Sequence, residues 1–169
     1  MTTDSQGRKI LVGDGTWSYR LVVDGNDLVC ESCVATWFGG ANDKQDNGQT
    51  ACGYPTKGHP WLMGCALAMH GYNEPHTEGS PVPHMPFGLH RDGSKNLDGA
   101  WVEVECPDTG LTLTLPVIDL GPGKQATSRP DQPHGIDVTP AAYHALGLDA
   151  FDTPRVRWRI KGGAKYIGK

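Results

Sequence analysis

The chain has 169 residues and a formal net charge of -4, and its 15 basic residues form no run, so its charge does not favour a nucleic-acid partner. Its 23 glycines and 13 prolines follow no fixed period, which favours short strands joined by turns over a helical bundle or a repeat array. The chain begins without a basic segment and an apolar core, and no apolar run reaches the about 20 residues of a membrane span. We therefore expect one globular core, with neither a signal peptide nor a membrane span.

The first 32 residues carry hairpin signals. Apolar and polar residues alternate between Lys9 and Val29, and the alternation is broken by Gly13-Asp14-Gly15 and Asp24-Gly25-Asn26. We predict an N-terminal arm and β-hairpin extension over residues 1–32, ahead of a main β domain over residues 33–169. The extension has two possible roles: to pack on the main domain or to bind a partner protein.

Further strands are predicted along the main domain. The segments Trp101 to Glu105 and Leu111 to Leu115 flank a Pro-Asp-Thr-Gly hairpin turn, and Arg155 to Ile160 alternates strictly, as a closing strand would. The apolar segment Leu62 to Met69 fits a short strand or a helix equally well. Residues Gly71 to Pro86 hold several prolines and are predicted to form a long loop.

Two aspartates mark the candidate site. Asp119 ends an apolar strand just before a Gly-Pro turn, and Asp137 ends a second apolar run just before a predicted helix. Thr139 suits the N-cap of that helix, Pro140 its first position and Gly147 its left-handed end. Two carboxylates sharing a groove would have separated pKa values, so that one group can donate a proton while the other stays ionised.

The sequence around these aspartates resembles a known family. The segment IDLGP (118–122), followed by GIDVTPAAYHALG (135–147), is similar to the double-psi β-barrel pattern of rare lipoprotein A-like lytic transglycosylases and of expansins. Upstream, ATWFGG (35–40) resembles their ASWYG strand, and TACGY (50–54) resembles the ACGY of expansins and barwin-like proteins. The resemblance spans roughly residues 34 to 160 in order. It implies a mainly β protein, a six-stranded double-psi β-barrel with one or two short helices, entered by a strand over Cys33 to Gly39, with the N-terminal hairpin region added.

The resemblance also implies roles for single residues. Asp119 takes the place of the catalytic aspartate of the family's DRGPF segment, and Asp137 takes that of the IDLS aspartate on which expansins depend. His70 resembles the family's TAAH histidine and is the third predicted catalytic residue, although His84 competes for the same place. Tyr54 stands where lytic transglycosylases carry a glutamate, as it does in expansins. The predicted substrate-binding residues are Thr50, Tyr54, Trp61 and His84.

Three functions follow from this resemblance. The first is binding and cleavage of peptidoglycan strands by a lytic transglycosylase, in which the muramic acid 6-hydroxyl replaces water as the acceptor. The second is a non-catalytic, expansin-like glycan-binding or structural module, including one built into a virion or larger assembly. The third is an endoglucanase similar to family 45, acting on β-1,4-glucans. All three imply a polysaccharide partner, no cofactor, and an extracellular, periplasmic or virion-associated location.

The chain has five cysteines, an odd number that leaves at least one thiol unpaired if the others form disulfides. Cys30 and Cys33 have the spacing of half a zinc site, but the chain lacks the second pair of a zinc ribbon, so we predict no metal. A local disulfide or free buried thiols are favoured there. By the resemblance to expansins and barwin, Cys52 and Cys65 form the first disulfide to expect.

Overall fold

β-Strands account for most regular structure in the part of the chain that the computed structural model describes, which is residues 2–11, 20–67, 85–122, 126 and 129–166. The strands are β1 (Thr2–Thr3), β2 (Lys9–Leu11), β3 (Leu21–Asp24), β4 (Asp27–Trp37), β5 (Cys65–Leu67), β6 (Trp101–Cys106), β7 (Leu111–Leu120), β8 (His134–Val138) and β9 (Arg155–Ile160). Helix α1 (Pro140–Ala145) lies between β8 and β9, and short 3-10 helices cover Leu148–Ala150 and Gly163–Tyr166. The predicted turn at 13–15 and most of the predicted loop at 71–86 lie outside the described residues.

Six of the strands close into a ring. β4 pairs with β8 in parallel, β8 with β5 antiparallel, and β5 with β7 in parallel. The ring continues with antiparallel pairs from β7 to β6, from β6 to β9 and from β9 back to β4. The predicted mainly β, six-stranded barrel is confirmed, and Arg155–Ile160 does close it. The mixture of parallel and antiparallel pairs is compatible with the double-psi arrangement.

The N-terminal strands β1 to β3 add to this ring from outside, as predicted. β4 joins the two parts, because its first residues pair with β3 while the strand also pairs with β9. This one strand crosses the predicted boundary between residues 32 and 33. Arg159 donates hydrogen bonds to Asp24 (3.0 Å) and Asp27 (2.6 Å) on either side of the β3–β4 turn. The extension therefore packs on the barrel, and its role toward a partner protein stays a prediction.

The cysteine thiols are free, and the expected Cys52–Cys65 disulfide is wrong. The buried thiol of Cys65 donates to the Pro116 carbonyl at 3.6 Å, whereas the Cys52 sulfur lies 3.1 Å from the Thr50 hydroxyl. Cys30 and Cys33 are both buried because a β-bulge between them turns both side chains inward. A hydrogen bond with Cys33, together with burial, raises the pKa of Cys30. Among the described residues, no group of three metal-binding side chains forms.

Helix α1 begins at Pro140, and Gly147 has a left-handed backbone (φ 72°), as the sequence predicts. Thr139 precedes the helix, but its side chain makes no capping hydrogen bond. Its hydroxyl instead accepts a hydrogen bond from the Gly64 amide at 3.2 Å, and its own amide donates to the Gly64 carbonyl at 3.0 Å. These bonds tie the end of β8 to the start of β5. Within the ambiguous apolar segment Cys65–Leu67 form a strand, and positions 68 and 69 lie outside the described residues.

Candidate active site

The strand register places the two aspartates in one row across four neighbouring strands. Thr36 on β4 pairs with Asp137 on β8, Asp137 pairs with Ala66 on β5, and Ala66 pairs with Asp119 on β7. Strands lie about 4.8 Å apart, which separates the two aspartate Cα atoms by roughly 10 Å. The residue between them is an alanine, so its small side chain leaves space between the two carboxylates.

A cavity of about 430 Å³ opens along this row. Asp119, Ala66 and Asp137 line it on one side, and the loop after β4 contributes further acidic and polar side chains on the other. The lining residues are Phe38, Gly39, Asp43, Gln45, Asp46, Asn47, Gln49, Thr50, Ala51, Ala66, Asp119, Leu120 and Asp137. Two aspartates that are 18 positions apart in the sequence thus share one cavity with two aspartates of the loop.

Asp137 is the more strongly perturbed of the pair. Burial raises its pKa from the ordinary value near 3.8 to about 6. A hydrogen bond donated by the Thr36 hydroxyl to Oδ1 opposes this rise, while the negative charges of Asp119 and Asp43 add to it. Asp137 therefore holds a proton over a pH range in which an exposed aspartate has lost it.

Asp119 has different hydrogen-bond donors from Asp137. Burial also raises its pKa, but two backbone amides, Leu120 at 2.8 Å and Ala51 at 3.1 Å, donate to its Oδ1 and favour the ionised form. Hydrogen bonds from backbone N–H groups stabilise a carboxylate as an anion. Burial therefore favours the protonated form of Asp137 most strongly, whereas the two amide donors favour the ionised form of Asp119. A pair with one proton donor and one ionised stabiliser has this kind of difference.

Gly121 leaves space for the Asp137 carboxylate. Its φ of 148° is a backbone conformation that side chains rarely adopt, and a Cβ placed on it would lie 3.3 Å from Oδ2 of Asp137. The glycine after Asp119-Leu120 therefore serves the other aspartate of the pair, by allowing close approach of the backbone.

The loop after β4, which also lines the cavity, is stabilised by hydrogen bonds to its own aspartates. Asp43 accepts a hydrogen bond from the Gly39 amide at 2.8 Å. Asp46 accepts hydrogen bonds from the Gly40 amide at 2.9 Å and from the Thr56 hydroxyl at 2.7 Å. Burial opposes the ionisation of Asp46, but these bonds outweigh it and lower its pKa. The loop therefore presents negative charge to the cavity.

Other predicted site residues have different positions. Thr50 lines the cavity, but its hydroxyl donates to the Tyr54 carbonyl at 2.6 Å. Tyr54 is half-buried and packs against a small cluster of Leu62, Leu89 and Ile118, away from the cavity wall. Trp61 is 67% exposed. The predicted histidines, His70 and His84, lie outside the described residues, so their roles stay predictions.

Four residues of this site were not singled out from the sequence: Thr36, Ala66, Asp43 and Asp46. Thr36 lies near the end of the long strand β4 and Ala66 on the short strand β5, and only the register reveals that they flank Asp137. The signal for Asp43 and Asp46 is their position in a glycine-bounded polar loop directly after the first barrel strand, a usual place for binding residues.

Comparison of the sequence with protein-family models and with curated proteins gives no match. Within the described part of the chain, no helix has the length and apolarity that crossing a membrane requires.

Proposed function

We propose that the protein binds glycan strands in the carboxylate cavity and cleaves them as a rare lipoprotein A-like lytic transglycosylase, with peptidoglycan as substrate. One observation carries the proposal: two partly buried carboxylates with different hydrogen-bond partners line the same cavity. A glycosidase-type reaction needs one carboxyl group that donates a proton and one that stays ionised.

In this mechanism Asp137 protonates the glycosidic oxygen as the bond to the anomeric carbon breaks. Ionised Asp119 stabilises the positive charge that develops on the sugar ring. The 6-hydroxyl of the same sugar then bonds to the anomeric carbon and gives its proton to Asp137, which restores the acid. One residue thus acts first as acid and then as base.

The negative charge of the cavity disfavours acidic substrates. Asp43, Asp46, Asp119 and Asp137 line it together, and no ion pair to any of them forms among the described residues. Like charges repel strongly at short range in a partly desolvated site. Strands whose sugars at the cavity carry no acidic group are therefore expected to bind better than glycans rich in uronic acids or sulfates.

The second candidate is a glycan-binding module without activity. It is favoured by Tyr54, which stands at the place of the family glutamate and packs into an apolar cluster instead of lining the cavity. A family 45-like endoglucanase is the third candidate, since it would use the same two-aspartate chemistry on β-1,4-glucans.

One experiment separates these functions. The wild-type protein and the variants Asp119→Asn, Asp137→Asn and Asp108→Asn are incubated with intact peptidoglycan, amidase-stripped peptidoglycan and cello-oligosaccharides, and the products are read by mass spectrometry. Asp108 lies exposed in the β6–β7 turn and serves as the matched control.

We expect anhydromuramyl products from the wild type and the control, and none from the two site variants. Hydrated reducing ends would mean hydrolysis instead. Binding without products would leave the non-catalytic module, and the absence of both binding and products would contradict all three functions.

A further inference from the structure

A second cavity adjoins the carboxylate cavity across Gly39, which lines both. Its volume is about 330 Å³, which falls in the range of small-ligand sites. Its walls combine three aromatic rings and two prolines with four polar side chains and several small or aliphatic residues. The lining residues are Trp37, Gly39, Gly40, Ala41, Asn42, Thr56, His59, Pro60, Leu62, Thr139, Pro140, Tyr143 and Asp149. We call it the aromatic cavity.

The chain elements that build the carboxylate row also build this cavity. Trp37 follows Thr36 on β4, and because side chains alternate along a strand, it points away from the face that Thr36 shares with Asp137. Pro140 and Tyr143 lie three positions apart on α1, on the same side of that helix, and α1 begins directly after β8. The aromatic cavity is therefore fixed relative to Asp137 through β4 and β8.

Large apolar side chains at this cavity are unusually exposed. Trp37 is 42% exposed, and Trp61 and Met63, which flank the lining residue Leu62, are 67% and 40% exposed. These three make up most of the large exposed hydrophobic residues in the described chain. Exposed apolar area concentrated beside a cavity marks a binding surface.

One wall of the cavity is braced by ring contacts. The His59 ring lies 4.6 Å from the Tyr54 ring and 5.6 Å from the Trp61 ring, measured between ring centroids. Tyr54 in turn packs against the apolar cluster below it. Tyr54 and Trp61, predicted to bind substrate directly, therefore support a wall of this cavity through His59.

We propose that the aromatic cavity is a sugar subsite that holds one pyranose ring of the strand whose scissile bond lies at Asp119 and Asp137. A pyranose presents C–H groups on its faces, which pack on aromatic rings such as Trp37 and Tyr143, and hydroxyl groups at its edge, which suit the polar side chains of Asn42 and Asp149. The shared wall at Gly39 connects this ring to the carboxylate cavity. This proposal rests on the proposed function. It further predicts that a glycan strand must be long enough to reach both cavities in order to bind tightly.

The test measures binding of chitooligosaccharides, which are neutral β-1,4-linked N-acetylglucosamine oligomers, by calorimetry. The parent protein carries Asp119→Asn and Asp137→Asn so that no cleavage occurs. Trp37→Ala and Tyr143→Ala are each compared with Leu97→Ala, a matched loss of an 82% exposed apolar side chain away from both cavities. Thermal unfolding of each variant confirms that it is folded, and Trp37→Ala is expected to fold because its side chain is partly exposed and lies outside the core.

We expect a hexamer to bind about tenfold more weakly to the Trp37 and Tyr143 variants, because each loses the packing of its ring against a sugar, whereas a dimer is unaffected. Leu97→Ala should bind both oligomers like the parent. Equal hexamer binding by all variants would overturn the subsite and leave the proposed function intact. If the parent and the wild type bind neither chitooligosaccharides nor peptidoglycan, both the subsite and the proposed function are wrong.

Discussion

The outer face of strands β6 and β9, together with the start of β4, carries many charged side chains, and so does the carboxylate cavity. Only the outer face pairs its acidic side chains with basic ones. On the outer face each acid has a basic partner: Arg157 donates to Glu105 at 2.7 Å, and Arg159 donates to Asp27 at 2.6 Å. The bond with Arg157 lowers the pKa of Glu105, and bonds from the Gly162 amide and Arg159 lower that of Asp27.

In the cavity the pattern is reversed. Asp119 and Asp137 lie partly buried in one cavity without a basic partner among the described residues, and this burial raises both pKa values. Paired surface charges keep a sheet face soluble at little cost, whereas unpaired buried charges of one sign reduce stability. Perturbed acids of this kind cluster at functional sites, and acid–base chemistry is the use that we propose for them here.

The largest expected effect is on activity. Replacing Asp137 or Asp119 with asparagine should lower the rate of glycan cleavage by about 100- to 10,000-fold, the usual contribution of a positioned acid or base. Replacing Glu105 with glutamine, on the paired face, should leave the rate unchanged. Product release from labelled peptidoglycan measures all three. Equal losses of cleavage rate in the Asp119, Asp137 and Glu105 variants would show that the cavity acids have no special role in the reaction.

The next effect concerns the space between the carboxylates. Ala66→Leu would fill it, and we expect a rate loss of roughly 100-fold because a displacement of about 1 Å is enough to misplace the reacting groups. Ala66→Ser, which keeps the side chain small, should retain most of the activity. The same assay measures both variants, with thermal unfolding as a check on folding. Full activity in Ala66→Leu would mean that substrate does not pass between Asp119 and Asp137.

A third effect is on stability and its pH dependence. The folded-state pKa of Asp137 is raised from about 3.8 to about 6, so the folded protein binds more protons than the unfolded chain in this window and loses stability as the pH rises through it. Asp137→Asn removes that loss and should stabilise the protein at pH 7 by on the order of 2–3 kcal/mol. At pH 3.5 the gain should vanish.

Urea unfolding of wild type and Asp137→Asn at several pH values measures this difference. A variant that is less stable than the wild type at pH 7 would contradict the assignment of Asp137 as a destabilising buried acid.

The smallest effect is expected on the paired face. Because Glu105 is ion-paired at the surface, Glu105→Gln should change the midpoint of unfolding far less than Asp137→Asn does, and in the opposite direction. Raising the salt concentration should reduce this change further, since surface pairs are screened. A large, salt-independent destabilisation would show that the outer pairs contribute more than their exposure implies.

The sequence could predict the elements of this fold better than their arrangement. Alternation identified the β6–β7 hairpin and β9, and Pro140 and Gly147 marked the limits of α1. The position of Thr139 was predicted correctly but its role was not, because its hydrogen bond reaches Gly64, 75 residues away. A local pattern carries no information about such a distant partner.

Only part of the candidate site could be predicted, because local sequence patterns do not show which residues of distant strands lie side by side. Asp119 and Asp137 each end an apolar run, which made them visible, but Ala66 is visible only through the register of three strands. The cysteine pairing failed because it came from resemblance alone, and burial in β5 gives Cys65 a carbonyl partner instead.

The most direct test of the central claim is a carboxyl ¹³C NMR titration of the two aspartates, assigned with Asp119→Asn and Asp137→Asn. We expect Asp137 to titrate near pH 6, and its pKa to fall in Asp119→Asn because the neighbouring negative charge is gone. An Asp137 that titrates near 3.8 and does not respond to Asp119→Asn would contradict a shared cavity with one proton donor and one ionised stabiliser.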